Sequence, residues 1–243
     1  MTRHDGRAPD QLRPIRFRRG FAPNAEGSVL VEVGDTRVLC TVSASSGVPS
    51  WRQGSGAGWL TAEYAMLPGS VRGRKRRETE RRDARSIEIQ RLIARSLRAA
   101  LDLTAIPNLT LTVDCDVVQA DGGTRCASIT GGMVALHDAL KRLAAEDRLA
   151  AWPLRRFVAA VSVGLVGGTP LLDLDYREDF AASVDMNVVG VDGGLLVEVQ
   201  GTAEGDPFRR EEHDALLDLA QRGVRELIER QRAAVAEPEP SAP

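Results

Sequence analysis

Residues 109–132 read LTLTVDCDVVQADGGTRCASITGG, and this stretch predicts a strand, a glycine turn and a helix in direct succession. Apolar and polar side chains alternate at its start, as they do in a half-buried strand. Glycines at a turn let an anion approach the backbone, and the free N–H groups at a helix start point toward such an anion. The stretch therefore offers a candidate anion site at its glycine turn, where Thr124 and Ser128 can donate hydroxyls and Arg125 can bind two oxygens, the alternative being a tight turn that only caps a helix.

Strand patterns occur in runs on both sides of this stretch. Aliphatic and β-branched residues flank short glycine-containing turns, which is the signature of β-hairpins. The string LVEV occurs twice, which hints at a duplicated β-unit. The first twenty residues are basic and polar and are expected to form an arm that leads into a strand. The other predicted strands comprise residues 28–33, 36–42, 59–67, 157–166, 170–176, 184–191 and 195–199.

Helices are interspersed among these strands without regular alternation. Residues 86–103 carry apolar side chains at helical spacing, with the first serine as the expected N-cap. A final helix is expected to begin with Asp206 as N-cap and Pro207 at the first helical position. This order predicts an α+β fold. One domain is expected over residues 1–234, followed by a proline-containing disordered tail over residues 235–243.

The composition excludes several classes of protein. Three widely spaced cysteines cannot form a disulfide framework, and three scattered histidines without a CxxC motif argue against a zinc site. The longest apolar run, at residues 157–166, is too short to span a membrane. The basic N-terminus has no apolar core of the kind that a secretion signal needs. We therefore expect a protein of the reducing cytoplasm with no membrane partner.

A net charge of −2 argues against a nucleic-acid partner, but this average hides a basic segment. In residues 72–85, called the basic loop below, eight basic residues face three acidic ones. The loop therefore carries +5, and the rest of the chain carries −7. Such a cluster is typical of a polyanion-binding surface, the alternative being a solvated loop with incidental charge.

Acidic residues downstream are candidates for binding a cation. Asp173 and Asp175 are expected to share one face of a strand. Asp179 and Asp185 flank a bend and begin the next strand, so their oxygens could share a hard cation such as Mg²⁺. The alternative interpretation is a set of turn-forming aspartates.

Taken together, long strings across nearly the whole chain resemble the ribonuclease PH family, whose members are phosphate-dependent exoribonucleases and nucleotidyltransferases acting on tRNA 3′ ends. The resemblance implies the ribonuclease PH fold, which is similar to domain 2 of ribosomal protein S5 and consists of two related β-α units in one domain. It also implies a ring-shaped homohexamer, a trimer of dimers. The matching strings are residues 25–43 (AEGSVLVEVGDTRVLCTVS), 58–70 (GWLTAEYAMLPGS), 85–103 (RSIEIQRLIARSLRAALDL), 114–132 (DCDVVQADGGTRCASITGG), 173–189 (DLDYREDFAASVDMNVV) and 198–208 (EVQGTAEGDPF).

The same resemblance implies roles for individual residues. Arg85 occupies the phosphate-binding arginine position of the family, and Gly123, Thr124 and Arg125 match its phosphate-binding turn. Cys126 stands where the family motif usually has threonine, so a hydroxyl contact is lost there.

Asp179 and Asp185 match the acidic pair near the scissile bond, where they would be catalytic and hold Mg²⁺. Asp185 could instead protonate the leaving 3′-oxygen. The basic loop matches the RNA-binding segment of the family only loosely. Its candidate RNA-binding residues are Arg72, Arg74, Arg76 and Arg77.

The expected activity is phosphorolysis of RNA 3′ ends. Inorganic phosphate would attack the last phosphodiester of a tRNA precursor and release a nucleoside diphosphate. The reverse reaction would add nucleotides, and rRNA is a further expected substrate. Two rivals stay open: a non-catalytic ring subunit that only binds RNA, and a hydrolytic metal-dependent nuclease.

Overall fold

A computed structural model describes residues 3–78 and 83–238, and its strands form two sheets. The first sheet contains β1 to β5, and the second contains β6 to β9. The strands are β1 Ile15–Arg19, β2 Gly27–Val33, β3 Thr36–Ser46, β4 Trp59–Met66, β5 Leu109–Gln119, β6 Val158–Val166, β7 Thr169–Leu172, β8 Val184–Val191 and β9 Leu195–Ala203. The α-helices are α1 Ala84–Arg98, α2 Thr124–Ala145, α3 Tyr176–Ala181 and α4 Arg210–Ala236.

The two sheets differ in connectivity. The first has the order β1-β2-β3-β5-β4, and its β4 and β5 are parallel because α1 forms the crossover between them. The second has the order β7-β6-β8-β9 and is antiparallel throughout. Strand runs with helices between them give the α+β fold that the sequence predicts.

Helix α2 lies in the middle of the molecule and packs on strands of both sheets. Most of its residues are buried, which explains why its sequence lacks a single apolar face. Glycines allow the close approach: a Cβ on Gly27 would lie 2.2 Å from the carbonyl oxygen of Ala135. The first aliphatic core lies between α1, α2 and the first sheet, and the second lies between α4 and the second sheet. Each half is thus a sheet covered by a long helix.

The basic N-terminal arm is held against the second sheet by buried arginines. Arg3 Nη1 donates to the carbonyl of Leu172 at 2.8 Å, and Arg7 Nη1 donates to that of Asp173 at 2.9 Å. Arg13 forms an ion pair of 2.7 Å with the Asp173 carboxylate. Because these guanidinium groups are buried and paired, the positive charge of the arm stabilises its packing against the second sheet.

Several predicted element boundaries are wrong. Helix α1 begins at Ala84 with Asp83 as its N-cap, whereas Ser86 is buried and its hydroxyl donates to Glu78 at 2.9 Å. Helix α4 begins after Arg209, whose backbone N–H bonds Glu212 in a capping box, and not at Asp206.

The last helix also extends beyond residue 234, the predicted end of the domain. Helix α4 continues to Ala236, so the first two residues of the stretch 235–243 are helical. Residues 239–243 of that tail lie outside the described residues. The two LVEV strings occupy non-equivalent places, since one lies in buried β2 and the other in the exposed edge strand β9. Among the helices that the structure describes, none has the length and apolarity to cross a membrane.

Candidate active site

The glycine turn connects β5 to the N-terminus of α2. Gly122 and Gly123 have φ angles of 72° and 64°, a left-handed conformation that favours glycine. A Cβ on Gly122 would lie 2.6 Å from the backbone carbonyl carbon of Asp175, so the turn packs directly against the start of α3. Within the described part of the chain, no side chain caps the first N–H groups of α2. The helix start therefore offers the free donors that an anion site requires.

Thr124, the first residue of α2, is buried and shares a hydrogen bond of 2.8 Å with the hydroxyl of Tyr64 on β4. Burial raises the pKa of Tyr64, and the positive charges of Arg85, Lys75 and Arg125 oppose this rise. Arg125 and two cations of the basic loop therefore lie near this phenol. Sequence reasoning missed Tyr64, whose contact with Thr124 spans sixty positions.

Arg125 is the second residue of α2, and its guanidinium is held from two sides. Its Nη1 donates to Gln200 Oε1 on β9 at 3.1 Å and lies 3.7 Å from Glu88 Oε1 on α1. Gln200 Nε2 also donates to Glu88 at 3.2 Å, which fixes both partners. Held in this way, Arg125 keeps further N–H groups that a phosphate can bind.

The acidic pair lies close to these cations. Asp179 is on α3 and Asp185 is near the start of β8. Burial raises the pKa of Asp179, and the charges of Arg85 and Arg125 oppose the rise. Burial, followed by the charge of Asp179, raises the pKa of Asp185 to about 6, again against Arg125. The structure therefore brings the predicted arginines and the predicted carboxylates into one electrostatic site.

Asp185 has one carboxylate oxygen that suits a cation. Its Oδ2 accepts a hydrogen bond from Asn187 Nδ2 at 3.3 Å. Its Oδ1 is buried and has no hydrogen-bond partner among residues 3–78 and 83–238. A buried carboxylate oxygen without a donor is costly unless a positive charge satisfies it. The negative charge of Glu204, just after β9, also raises the pKa of both aspartates, so the site has three carboxylates.

Cys126 contributes to the same site through Asn187. Its thiol donates to Asn187 Oδ1 at 3.3 Å, and Asn187 in turn donates to Asp185. The thiol thus performs a donor role that a hydroxyl could also perform. Burial raises the pKa of Cys126 well above its usual range, which keeps it protonated as a donor. Asn187, Gln200 and Glu204 were not singled out by the sequence, because no motif spacing connects them to the turn.

Asp173 and Asp175 do not share a strand face as the sequence predicts. Strand β7 ends at Leu172, and Asp173 follows in a left-handed conformation with φ of 55°. Asp173 pairs with Arg13, whereas Asp175 caps α3 and bonds His4 at 2.5 Å. His4, Asp175 and Glu178 have the spacing of metal ligands, but Arg3 already occupies Glu178. These three acids hold the arm and α3 together beside the candidate active site.

The basic loop lies between β4 and α1, with its last two residues in the first turn of α1, and it exposes all four of its candidate RNA-binding arginines. Lys75 is held within the loop by Glu78 at 3.0 Å and by Asp83 at 3.6 Å. Burial raises the pKa of Asp116 on β5, and the charge of Arg77 opposes this rise, so Arg77 lies near that strand. Residues 79–82 of the loop lie outside the described residues. Arg85 is exposed in the first turn of α1, beside the acidic pair.

Comparison with known proteins finds one family in both halves of the chain. The model of domain 1 of the 3′ exoribonuclease family matches residues 11–141, and that of domain 2 matches residues 156–223.

Solved structures agree with this fold. A chain from an Archaeoglobus fulgidus exosome with RNA bound to the active site is 25% identical, with a TM-score of 0.79 over 94% of this chain and 92% of that one. Rice (Oryza sativa) Rrp46 is 21% identical, with a TM-score of 0.78 over 96% of this chain and 100% of that one. A chain of an archaeal exosome core is 24% identical, with a TM-score of 0.76 over 95% and 91% of the respective chains.

Proposed function

Since the chain belongs to the 3′ exoribonuclease family, we propose that it is a phosphate-dependent 3′-to-5′ exoribonuclease that matures the 3′ ends of tRNA precursors. In this proposal it removes the nucleotides that follow the CCA terminus and releases them as nucleoside diphosphates. Inorganic phosphate is the co-substrate. The reverse reaction makes it a tRNA nucleotidyltransferase, and rRNA is a further substrate.

The observation that carries the proposal is the approach of Arg125 to both Asp179 and Asp185, beside an uncapped helix start. Phosphorolysis brings two anions together, the free phosphate and the phosphodiester that it attacks. Cationic donors must overcome their repulsion, and preorganised donors do so without further rearrangement. Arg85, Arg125 and the N–H groups of α2 hold the attacking phosphate in this scheme. Phosphate supplies its own nucleophilic oxygen, so no activated side-chain nucleophile is needed.

Asp179 and Asp185 fit a divalent cation, and we assign Mg²⁺ to them because the buried Oδ1 of Asp185 lacks a donor. When bound, such an ion stabilises negative charge on the scissile phosphate and the leaving oxygen. Asp185 has a second possible role as a general acid, since a pKa of about 6 allows it to carry a proton near neutral pH. Asn187 orients its carboxylate in either role.

The exposed arginines of the basic loop support binding of the tRNA body. Contacts to phosphates carry no sequence information, so they increase affinity and position the substrate. The related exosome chain comes from a structure with RNA at its active site, which supports RNA as the substrate class.

We also propose a homohexameric ring, a trimer of dimers. Strand β9 is the edge of the second sheet and exposes Leu195, Leu196 and Val199. An exposed apolar edge strand is the kind of surface that proteins cover by association. Light scattering of the purified protein tests the expected mass of six chains. The three cysteines are free thiols, which supports location in the reducing cytoplasm.

The rival interpretation is a non-catalytic ring subunit that binds RNA. Such a subunit has no need for a buried carboxylate with a raised pKa or for an uncapped helix start beside two arginines. A hydrolytic nuclease needs a metal-activated water in place of phosphate. The retained cationic turn favours the phosphorolytic reaction over both.

One experiment separates the three functions. A 3′-extended tRNA is incubated with the protein and Mg²⁺, with and without phosphate, and the released nucleotides are identified. Diphosphates that appear only with phosphate support the proposal. Monophosphates without phosphate indicate the hydrolase, and bound but unchanged RNA indicates the binding subunit. The variant Asp185→Asn is the matched control and should release no nucleotides while it still binds RNA.

A further inference from the structure

Two aromatic side chains on α3 are exposed next to the proposed active site. Phe180 is 82% exposed and Tyr176 is 61% exposed, and Phe180 is the most exposed large apolar side chain among the described residues. They lie one helical turn apart, with ring centroids separated by 6.4 Å and planes inclined by 30°. Together they form a continuous aromatic surface, which we call the α3 platform. Large exposed aromatic surfaces are uncommon unless a partner covers them.

The platform adjoins the glycine turn directly. A Cβ on Gly122 would lie 2.8 Å from the backbone nitrogen of Tyr176. The same nitrogen donates to the Asp121 carboxylate of the turn at 3.4 Å. Asp179, the predicted catalytic carboxylate, lies on the same short helix between the two rings in sequence. A nucleotide whose scissile phosphate lies beside Asp179 therefore has its base within reach of α3.

The charge around the platform identifies which part of an RNA lies there. Helix α3 carries Glu178 and Asp179 in its first turn and Arg177 as its single cation. Most of the basic loop belongs to the connection between β4 and α1 and not to α3. An RNA chain continues upstream of the scissile bond with a phosphate at every residue, which requires cations. The 3′-terminal nucleotide has no phosphate beyond its own, so it suits a helix that carries a single cation.

We propose that the α3 platform stacks the base of the 3′-terminal nucleotide of the RNA. The proposal rests on the proposed function, since it takes the scissile phosphate to lie at Asp179 and Asp185, next to the attacking phosphate at the glycine turn. Every base has an aromatic face, so stacking holds the terminal nucleotide whatever its identity. This tolerance suits an enzyme that trims variable 3′ extensions. Phe180 is thus a substrate-positioning residue.

The test compares two 5′-labelled oligoribonucleotides, one of which lacks only the 3′-terminal base. Their affinity is measured without phosphate, where phosphorolysis cannot start, and their shortening is then measured with phosphate. Phe180→Ala should weaken binding of the complete oligonucleotide roughly 5- to 20-fold, the lower range for loss of a base–aromatic stack. KM should rise by a similar factor with little change in kcat. Binding of the oligonucleotide without the base should not respond to the substitution.

Two variants complete the design. Phe180→Trp should restore affinity, because indole stacks at least as well as phenyl. Phe21→Ala removes another exposed phenylalanine, which follows β1 near Asp138, about 20 Å along α2 from the turn. It should bind both oligonucleotides as the wild type does.

Each of the other outcomes would contradict the proposal that the α3 platform stacks the terminal base. Equal weakening on both oligonucleotides would mean that Phe180 acts on the fold of α3 and not on a base. A change in oligomeric mass with Phe180→Ala would mean that a second copy of the chain covers the platform. Unchanged binding would exclude stacking altogether. Failure of the proposed function has a separate signature, since the wild type would then bind RNA without shortening it in phosphate.

Discussion

Asp185→Asn should make the protein more stable while it removes activity. The carboxylate of Asp185 is half-buried and feels the charges of Asp179 and Glu204, and its buried Oδ1 lacks a hydrogen bond within the described structure. Asparagine has nearly the same shape, and its carbonyl can still accept the hydrogen bond from Asn187. The substitution therefore removes a destabilising negative charge and leaves the packing in place.

The magnitude follows from the shift in pKa. Folding raises the pKa of Asp185 from 3.8 to about 6. At 1.36 kcal/mol per pKa unit, the charged form destabilises the folded state by about 3 kcal/mol. Because the folded state binds the proton more tightly, this cost is absent below pH 3.8 and develops as the pH rises toward 6. It is complete above that value, and at pH 5 about half of it is present.

Urea unfolding at pH 5 and pH 8, in the presence of a chelator and at fixed protein concentration, measures the difference. The variant should gain up to about 3 kcal/mol at pH 8 and about half of that at pH 5. Added Mg²⁺ should stabilise the wild type and not the variant, since ligand binding favours the folded state. Asp218→Asn, on the exposed surface of α4, is the control. A gain that does not vary with pH, or a loss of stability, would refute the reasoning.

Three further predictions concern activity. Arg125→Ala should lower the phosphate-dependent rate roughly 10²- to 10³-fold, as loss of a preorganised anion donor does. Arg91→Ala, on the exposed face of α1, is the control and should leave the rate unchanged. Full activity of Arg125→Ala would show that Arg125 does not bind the phosphate. Neutralising the four candidate arginines of the basic loop should weaken tRNA binding and flatten the salt dependence of its affinity, while short oligonucleotides react as before. An unchanged salt dependence of the affinity would mean that the charge of the loop is incidental. Cys126→Ser should keep activity because the hydroxyl still donates to Asn187. Cys126→Val should lower kcat about fivefold, because one hydrogen bond is lost. Equal rates in the two variants would show that Cys126 does not position Asn187.

The strands and long helices were predictable because each has a local pattern. Strand β5 alternates buried and half-exposed residues along its length, and α1 buries one stripe of apolar side chains. Helix α3 escaped prediction because it has only six residues, too few for a periodic signal. A signal was present nevertheless: Asp175 is followed three residues later by Glu178, which is a capping-box spacing. This spacing places Asp175 at the start of a helix and not in a strand.

The site was predictable only in part, for a related reason. Glycines, Thr124 and Arg125 are consecutive in the sequence, so their joint role was visible as a motif. Gln200 and Asn187 reach that motif from the second sheet, 75 and 61 positions away from their partners. Only the pairing of β8 with β9 places these two side chains side by side, with Asn187 opposite Gln200. Contacts of this range depend on tertiary packing, which spacing along one sequence does not encode.

The buried arginines of the N-terminal arm have a practical consequence for anyone who expresses or shortens this protein. Arg3 and Arg13 neutralise Glu178 and Asp173, the carboxylates on which α3 rests beside the glycine turn. Removing the arm would leave both carboxylates unpaired in the interior and loosen the helix that carries Asp179. A shortened form of this protein therefore has to keep both arginines.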